Sequence, residues 1–185
     1  DLKIVDENLN IISPSLNNYR NLNKSPLWQS LLVENVATGC TIIINRRLAN
    51  ISVPFPNGIY MHDWWIVLLA KIYGRIELIE EELILYRQHS SNTFGAGVSR
   101  FSVDKLFNLA NKNSNFRITF KKALIQAEQL SNRLAVDMVD FEKYEILKSW
   151  LNVQRESKLK RVLFALKNGF IPNGFRKTIL FLARL

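Results

Sequence analysis

The first part of the chain alternates short apolar runs with turn-forming residues, a pattern typical of β-strands. Residues 1–12 predict a β-hairpin whose turn starts at Asp6. Further strands are predicted at residues 41–44, 75–79 and 83–86, and the last two of these form a second hairpin. Because helices separate the strands, the pattern predicts an α/β fold.

Two helices lie between these strands. Residues 25–36 predict the first, with Pro26 at the first helical position, where its missing N–H is not needed. Residues 64–70 are apolar on every side and predict the second helix, with Asp63 as its N-cap and Gly74 as its left-handed C-cap. A helix without a polar face has to be buried inside a layered domain.

Helical periodicity runs through the second part of the chain, where apolar residues recur three and four positions apart. An Asn-rich stretch at residues 111–115 is expected to end the first of these helices. The predicted helices occupy residues 103–110, 117–136, 141–151, 158–167 and 175–185. The chain therefore divides into an α/β part at residues 1–98, a helical appendage at 99–154 and a basic amphipathic tail at 155–185.

Positive charge is concentrated in the tail. The formal net charge of the chain is +9, and residues 155–185 hold eight Lys or Arg against one acidic residue, Glu156. Two interpretations are open. The tail helices lie in the interface of an anionic membrane, where each nearby cation contributes about 1 kcal/mol, or they dock on their own domain with the basic face in water. Nucleic acid is not an expected partner, since the cations alternate with Leu and Phe and no nucleic-acid-binding motif occurs.

The composition is that of a globular protein. A hydrophobic content of 48% over 185 residues is sufficient for a sizeable core. The single cysteine, Cys40, excludes a disulfide framework and suits a reducing compartment, and its apolar neighbours predict a buried thiol. No apolar run approaches the roughly 18 residues that span a bilayer. We expect a cytoplasmic protein that contacts at most the inner face of the plasma membrane.

Candidate chemistry centres on Asp63, at the start of the predicted buried helix. A carboxylate within hydrogen-bond reach of a hydroxyl can act as a general base, and the alternative is that Asp63 only caps the helix. His89 follows the second predicted hairpin and is either a functional group or a solvated loop residue. The second interpretation is favoured by the sequence alone, because no other metal-binding residue lies beside His89 at ligand spacing. Trp64 and Trp65 are either core residues or platforms for a substrate.

Three stretches of the chain place these residues in a distinctive context. They are Thr38-Gly39-Cys40-Thr41 with Asn45-Arg46, then His62-Asp63-Trp64-Trp65, and Glu82-Leu83-Ile84-Leu85-Tyr86-Arg87-Gln88-His89-Ser90-Ser91-Asn92. Together they resemble the family 2 glycosyltransferases, especially the rhamnosyltransferase-like branch with the GT-A fold. The resemblance covers residues 1–96 and implies inverting transfer of a sugar, such as rhamnose, from a nucleotide-sugar donor. The implied acceptor is a growing cell-surface polysaccharide or a lipid-linked saccharide.

The resemblance implies roles for individual residues. Asp63 resembles the catalytic base, and Arg87 would face the donor diphosphate. His89 resembles the histidine that helps to hold a divalent metal, Mg²⁺ or Mn²⁺, bridging that diphosphate. The residues expected at the acceptor are Gly39, Cys40, His62, Trp64 and Trp65. Asn35 also belongs to the resemblance, as either a substrate contact or a structural hydrogen-bonding group.

The chain departs from the family in its first residues. Family members begin with a nucleotide-binding half that contains an Asp-x-Asp motif, and no two aspartates of this chain are two positions apart. We expect about 100 further residues to complete a normal α/β domain, and the 185 residues alone to be inactive. An incomplete sheet would expose an edge that promotes self-association. The alternative function is a non-catalytic module, derived from a glycosyltransferase, that binds a partner or a membrane.

Overall fold

A computed structural model describes residues 1–89, 107–137 and 140–185, and for residues 107–119 the backbone alone. Within these ranges the chain folds into a three-stranded mixed sheet, eight α-helices and one short 3-10 helix. The α/β class is therefore confirmed. The GT-A fold remains a prediction.

The chain forms two compact units that do not follow the predicted boundaries. The sheet unit consists of Asp1–Lys24 and Glu77–Asn113, and the helical unit of Ser25–Ile76 and Ser114–Leu185. The predicted α/β part is thus divided between the two units. The segment that carries Asp63 shares its unit with the tail and with the appendage from Ser114 onward.

The sheet unit contains strands β1 (Leu2–Val5), β2 (Ile11–Ser13) and β3 (Ile84–Arg87) with one short helix, α1 (Leu16–Arg20). The strand order is β2-β1-β3. The antiparallel pair β1-β2 confirms the predicted N-terminal hairpin. Its turn is held by the Asp6 carboxylate, which accepts hydrogen bonds from the backbone N–H groups of Asn8 and Asn10.

The second predicted hairpin is wrong. In the described sheet, β3 pairs in parallel with β1, placing Leu2 opposite Ile84 and Val5 opposite Arg87, and residues 75–79 form no strand. Pairing with a strand some eighty residues away satisfies the β3 backbone on that side. Local alternation of apolar residues does not show such a partner.

The two faces of the sheet differ in burial. Leu2 and Ile4 are buried with Leu16 of α1. Leu85, on the opposite face, is more than half exposed, and so are Ile11 and Leu83, whereas Val5 at the end of β1 is fully buried. The core formed by the described residues of this unit is therefore small.

The helical unit is built around a central helix that is apolar on nearly all sides. Its elements are α2 (Trp28–Leu31), a 3-10 helix (Gly39–Thr41), α3 (Arg46–Ser52), α4 (His62–Tyr73), α5 (Phe107–Asp137, from Ser114 onward), α6 (Phe141–Val153), α7 (Lys158–Asn168) and α8 (Phe175–Arg184). The prediction that α4 is buried is confirmed, since eight of its twelve residues are buried. The predicted helices α6, α7 and α8 are confirmed as well.

Several predicted boundaries in this unit are wrong. The helix predicted at residues 25–36 forms only the single turn Trp28–Leu31, and beyond it the side chains of Glu34 and Asn35 make tertiary hydrogen bonds. The strand predicted at residues 41–44 does not form: Thr41 ends the 3-10 helix, where the Thr38 carbonyl accepts from both its N–H and its hydroxyl, and residues 42–44 are irregular. Gly74 is extended, with φ −170°, rather than left-handed. The Asn-rich stretch 111–115 continues within α5 instead of ending a helix.

Aromatic side chains from α6, α8 and the loop before α8 form much of the core around α4. Trp150 is fully buried and stacks on Phe170, with ring centroids 4.6 Å apart and planes 10° from parallel. Phe181 of α8 is also buried and lies 6.4 Å from Trp150. The tail is therefore an integral part of this unit's core.

A polar cluster joins the end of α4 to the end of α5. The Tyr73 hydroxyl donates to the Asp137 carboxylate, which also accepts from Arg133 Nε at 2.9 Å. Burial and then the hydrogen bond to Asp137 raise the pKa of Tyr73 from 10.0 to about 12. The same two hydrogen bonds hold the pKa of Asp137 below its ordinary value.

Candidate functional site

The start of α4 positions the predicted catalytic carboxylate. Met61, not Asp63, is the N-cap, so the predicted capping role of Asp63 is wrong by two positions. Asp63 lies in the first helical turn, where a negative charge interacts favourably with the helix dipole. Its side chain is only 6% exposed, and its Oδ1 accepts from the Trp64 N–H at 2.7 Å.

Asn35 orients this carboxylate from the segment that follows α2. Its Nδ2 donates to Asp63 Oδ1 at 3.2 Å, while its Oδ1 accepts from the Ala37 N–H at 3.0 Å. The amide is therefore fixed at both ends. Of the two interpretations of Asn35, the structure supports the structural hydrogen bond.

Gly39 packs directly against His62 and Asp63. A Cβ atom at Gly39 would lie 2.8 Å from His62 Nε2 and 3.8 Å from Asp63 Oδ2. The first distance is shorter than a real contact, so a side chain at Gly39 would have to displace the exposed His62 imidazole. The structure thus brings Gly39, His62 and Asp63 together with Asn35.

The two oxygens of the Asp63 carboxylate differ. Oδ1 accepts two hydrogen bonds, whereas Oδ2, which faces Gly39, accepts none from the part of the chain that the structure describes. His62 is exposed, and its imidazole lies on the same side of Gly39 as the Asp63 Oδ2 atom. One carboxylate oxygen is therefore held by the protein, and the other is left for a different donor.

Cys40 is exposed, so the prediction of a buried thiol is wrong. It is the middle residue of the 3-10 helix Gly39–Thr41, whose tight turn directs the residue outward. It lies next to Gly39 in sequence, and its predicted part in acceptor binding remains a prediction.

Trp64 and Trp65 are core residues. Trp64 is 3% exposed and its indole N–H donates to the Leu31 carbonyl at 2.6 Å. Trp65 is fully buried and donates to the Ser52 carbonyl at 3.2 Å. Side chains with so little accessible surface, and with satisfied N–H groups, cannot wall an acceptor pocket in this structure. Core packing is the interpretation that the structure supports.

Arg87 and His89 belong to the sheet unit. Arg87 is the last residue of β3, and the Gln88 N–H donates to the Val5 carbonyl at 2.8 Å, extending the pairing with β1. Burial alternates along the strand, with Tyr86 partly buried and Arg87 and His89 exposed. The predicted placement of Arg87 on a different face from Tyr86 is confirmed. Their roles toward the donor remain predictions.

The residues described do not make a complete metal site. Among residues 1–89, 107–137 and 140–185 there is no group of three or more His, Cys, Asp or Glu that could hold an ion. His89 is thus a single candidate ligand, and Mg²⁺ takes a largely oxygen-based, octahedral set. The divalent metal stays a prediction, and no step below is assigned to it.

The described helices give no candidate for a membrane span, since none combines the necessary length with an apolar composition. Comparison with known proteins found no matching protein-family model, no matching curated protein and no matching solved structure.

Proposed function

We propose that this chain is the acceptor-side part of an inverting glycosyltransferase of family 2 type, with Asp63 as the general base. The observation that carries the proposal is the asymmetry of the Asp63 carboxylate. Asn35 and the Trp64 N–H hold Oδ1, and Oδ2 faces a glycine backbone beside the His62 imidazole. A base has to be fixed in this way while keeping one oxygen for the reacting hydroxyl.

The reaction requires one proton transfer from the acceptor. As the acceptor oxygen attacks the anomeric carbon of the donor sugar, Asp63 Oδ2 takes the hydroxyl proton. The bond between that carbon and the diphosphate breaks, the nucleoside diphosphate leaves with the electron pair, and the configuration is inverted. Asp63 then releases its proton to solvent, which restores the carboxylate.

Gly39 and His62 have supporting roles in the proposal. The missing side chain at Gly39 leaves room for the His62 imidazole beside the Asp63 carboxylate, and in the proposal this exposed imidazole hydrogen-bonds a hydroxyl of the acceptor. Toward the donor, we retain Arg87 for the diphosphate and His89 for metal binding, as the motif resemblance implies. The donor sugar is rhamnose or a similar hexose on a nucleotide.

Replacement of the base is the decisive test. In the full gene product, Asp63→Asn keeps the Oδ1 acceptor for Asn35 but cannot take a proton, and we expect transfer to fall by about 100- to 10,000-fold. Transfer is measured as acceptor-dependent release of nucleoside diphosphate, with a panel of nucleotide sugars and with native membranes as the source of acceptor. Donor binding, measured by calorimetry, should be nearly unchanged.

Two further variants make the result specific. Asp6→Asn changes a partly exposed carboxylate of the β1-β2 turn and should leave transfer at the wild-type level. Gly39→Ala should reduce transfer while the protein stays folded, because the new methyl group displaces the His62 side chain. Wild-type rates in Asp63→Asn would refute the mechanism and favour the non-catalytic binding module.

A further inference from the structure

Helices α7 and α8 carry an apolar surface that the fold does not use. On α7, Leu159, Leu163 and Leu166 lie at i, i+4 and i+7, and each is at least half exposed. On α8, Phe175 is 81% exposed, and Ile179 and Leu180 are each 49% exposed. We name these six exposed residues the outer surface of α7 and α8; a set of this size, at helical spacing, goes beyond the single exposed leucines found on most proteins.

The two helices are nevertheless firmly attached through other residues. Ala165, Phe170 and Phe181 are buried in the core of the helical unit. Lys158, at the start of α7, donates to the carbonyl of Ala183 near the end of α8, so the two helices run roughly antiparallel. The outer surface is therefore presented by a fixed helix pair rather than by a frayed end.

Glu34 provides a second attachment. Its carboxylate accepts from the Asn173 N–H at 2.8 Å and from Lys177 Nζ at 2.6 Å, and its side chain is only 11% exposed. The start of α8 is thus held against the segment that follows α2. These contacts support the interpretation in which the tail docks on its own domain. They leave the outer surface of α7 and α8 exposed to solvent.

The charged residues of the tail that carries the outer surface are almost all basic. Lys167 and Arg176 are exposed and form no ion pair with any described residue. The one acidic residue of the tail, Glu156, is already paired with Lys160 at 2.7 Å. An apolar stripe flanked by unpaired cations is complementary to a surface with acyl chains beneath anionic headgroups.

We infer that α7 and α8 together form a binding site for an anionic lipid bilayer and lie in its headgroup region. Leu163 and Phe175 enter the boundary of the acyl chains, and Lys167 and Arg176 contact the lipid phosphates. At 1.5 Å per residue, α7 is about 16 Å long, which suits a helix that lies along the surface. This inference does not depend on glycosyl transfer.

Co-sedimentation of the full chain with vesicles tests the inference. We expect binding to phosphatidylcholine vesicles that contain phosphatidylglycerol, little binding to pure phosphatidylcholine, and weaker binding at high salt. Leu163→Gln combined with Phe175→Gln should lower the partition coefficient by about tenfold or more. The matched pair Leu27→Gln with Phe55→Gln, also exposed in the helical unit, should bind as the wild type does.

Charge neutralisation provides an independent measurement. Lys167→Gln combined with Arg176→Gln should lower binding to the anionic vesicles by about 25-fold, which is about fivefold for each cation. Lys121→Gln, an exposed lysine on α5, is the control and should have no effect. Circular dichroism checks that all variants are folded.

Three results would overturn the inference. The first is equal binding to neutral and anionic vesicles, or binding to neither. The second is a wild-type dimer in light scattering that becomes a monomer in the double variant Leu163→Gln, Phe175→Gln. The outer surface would then be an interface between two protein chains. The third is an equal loss of vesicle binding in the tail variants and in their controls.

Discussion

The sheet unit and the helical unit differ in the size of the hydrophobic core that their described residues form. In the helical unit, large aromatic residues such as Trp65, Trp150 and Phe170 are almost fully buried. In the sheet unit, Leu2 and Ile4 are buried on one face, while Leu85 on the other face is more than half exposed. Because hydrophobic stabilisation scales with buried apolar area, most of the stability of the chain should reside in the helical unit.

The largest expected effect is the loss of an aromatic residue from the larger core. Trp150→Ala removes the ring that stacks on Phe170, and we expect a loss of about 3–5 kcal/mol in the free energy of unfolding. Urea denaturation followed by the fluorescence of the three remaining tryptophans measures it. Phe175→Ala, at an exposed position in the same unit, should cost less than about 0.5 kcal/mol. An equal loss in the free energy of unfolding for the two variants would contradict a core built around Trp150.

An intermediate effect is expected in the sheet unit. Leu2→Ala should destabilise this unit by about 2 kcal/mol, the low end for such a change, because a small core can partly collapse around the cavity. All four tryptophans belong to the helical unit, so their fluorescence transition should stay in place.

Amide hydrogen exchange of β1 measures the loss in the sheet unit. The control is Leu85→Ala on the exposed face of the same sheet, which should be nearly neutral. If Leu2→Ala moves the tryptophan transition as far as it moves β1 exchange, the two units unfold as one, and the comparison fails.

The smallest effect concerns the polar cluster at the end of α4. The pKa of Tyr73 is raised to about 12, so its contribution to stability is complete below pH 10.0 and is lost as the pH rises through about 12. Tyr73→Phe should cost about 1 kcal/mol at neutral pH and flatten this alkaline loss. Thermal melts between pH 8 and 12 measure both effects. If the steep loss of stability at alkaline pH persists in Tyr73→Phe but disappears in the control Tyr144→Phe, Tyr73 is not the group responsible for it.

The predictable parts of the fold were those determined by local patterns. The hairpin around Asp6 has its turn chemistry within five residues, and α6 to α8 have regular helical spacing. The parallel pairing of β3 with β1 has no local signature, because its partner is far away in the sequence. The same limit explains why residues 75–79, apolar and alternating, were wrongly predicted as a strand.

The candidate site was predictable in its centre but not in its surroundings. The motif His62-Asp63 identified a carboxylate that the structure places beside Gly39, with His62 next to it. In the sequence, the adjacent tryptophans Trp64 and Trp65 fit either a hydrophobic core or a platform for a substrate. Only their burial in the structure distinguishes these two interpretations. Cys40 is exposed and lies in a turn closed by the hydrogen bond from Thr41 to Thr38. The apolar residues around Cys40 in the sequence give no sign of this turn.

The double contact of Glu34 has a consequence for work with shortened proteins. A chain cut before Pro172 would lose both the Asn173 N–H and the Lys177 ammonium, and would leave a largely enclosed carboxylate without its donors. Glu34 immediately precedes Asn35, which orients Asp63. Truncation before Pro172 is therefore expected to disturb the position of Asn35 and, through it, of Asp63, although both residues remain in the chain. Inactivity of such a fragment would then say nothing about the chemistry of Asp63.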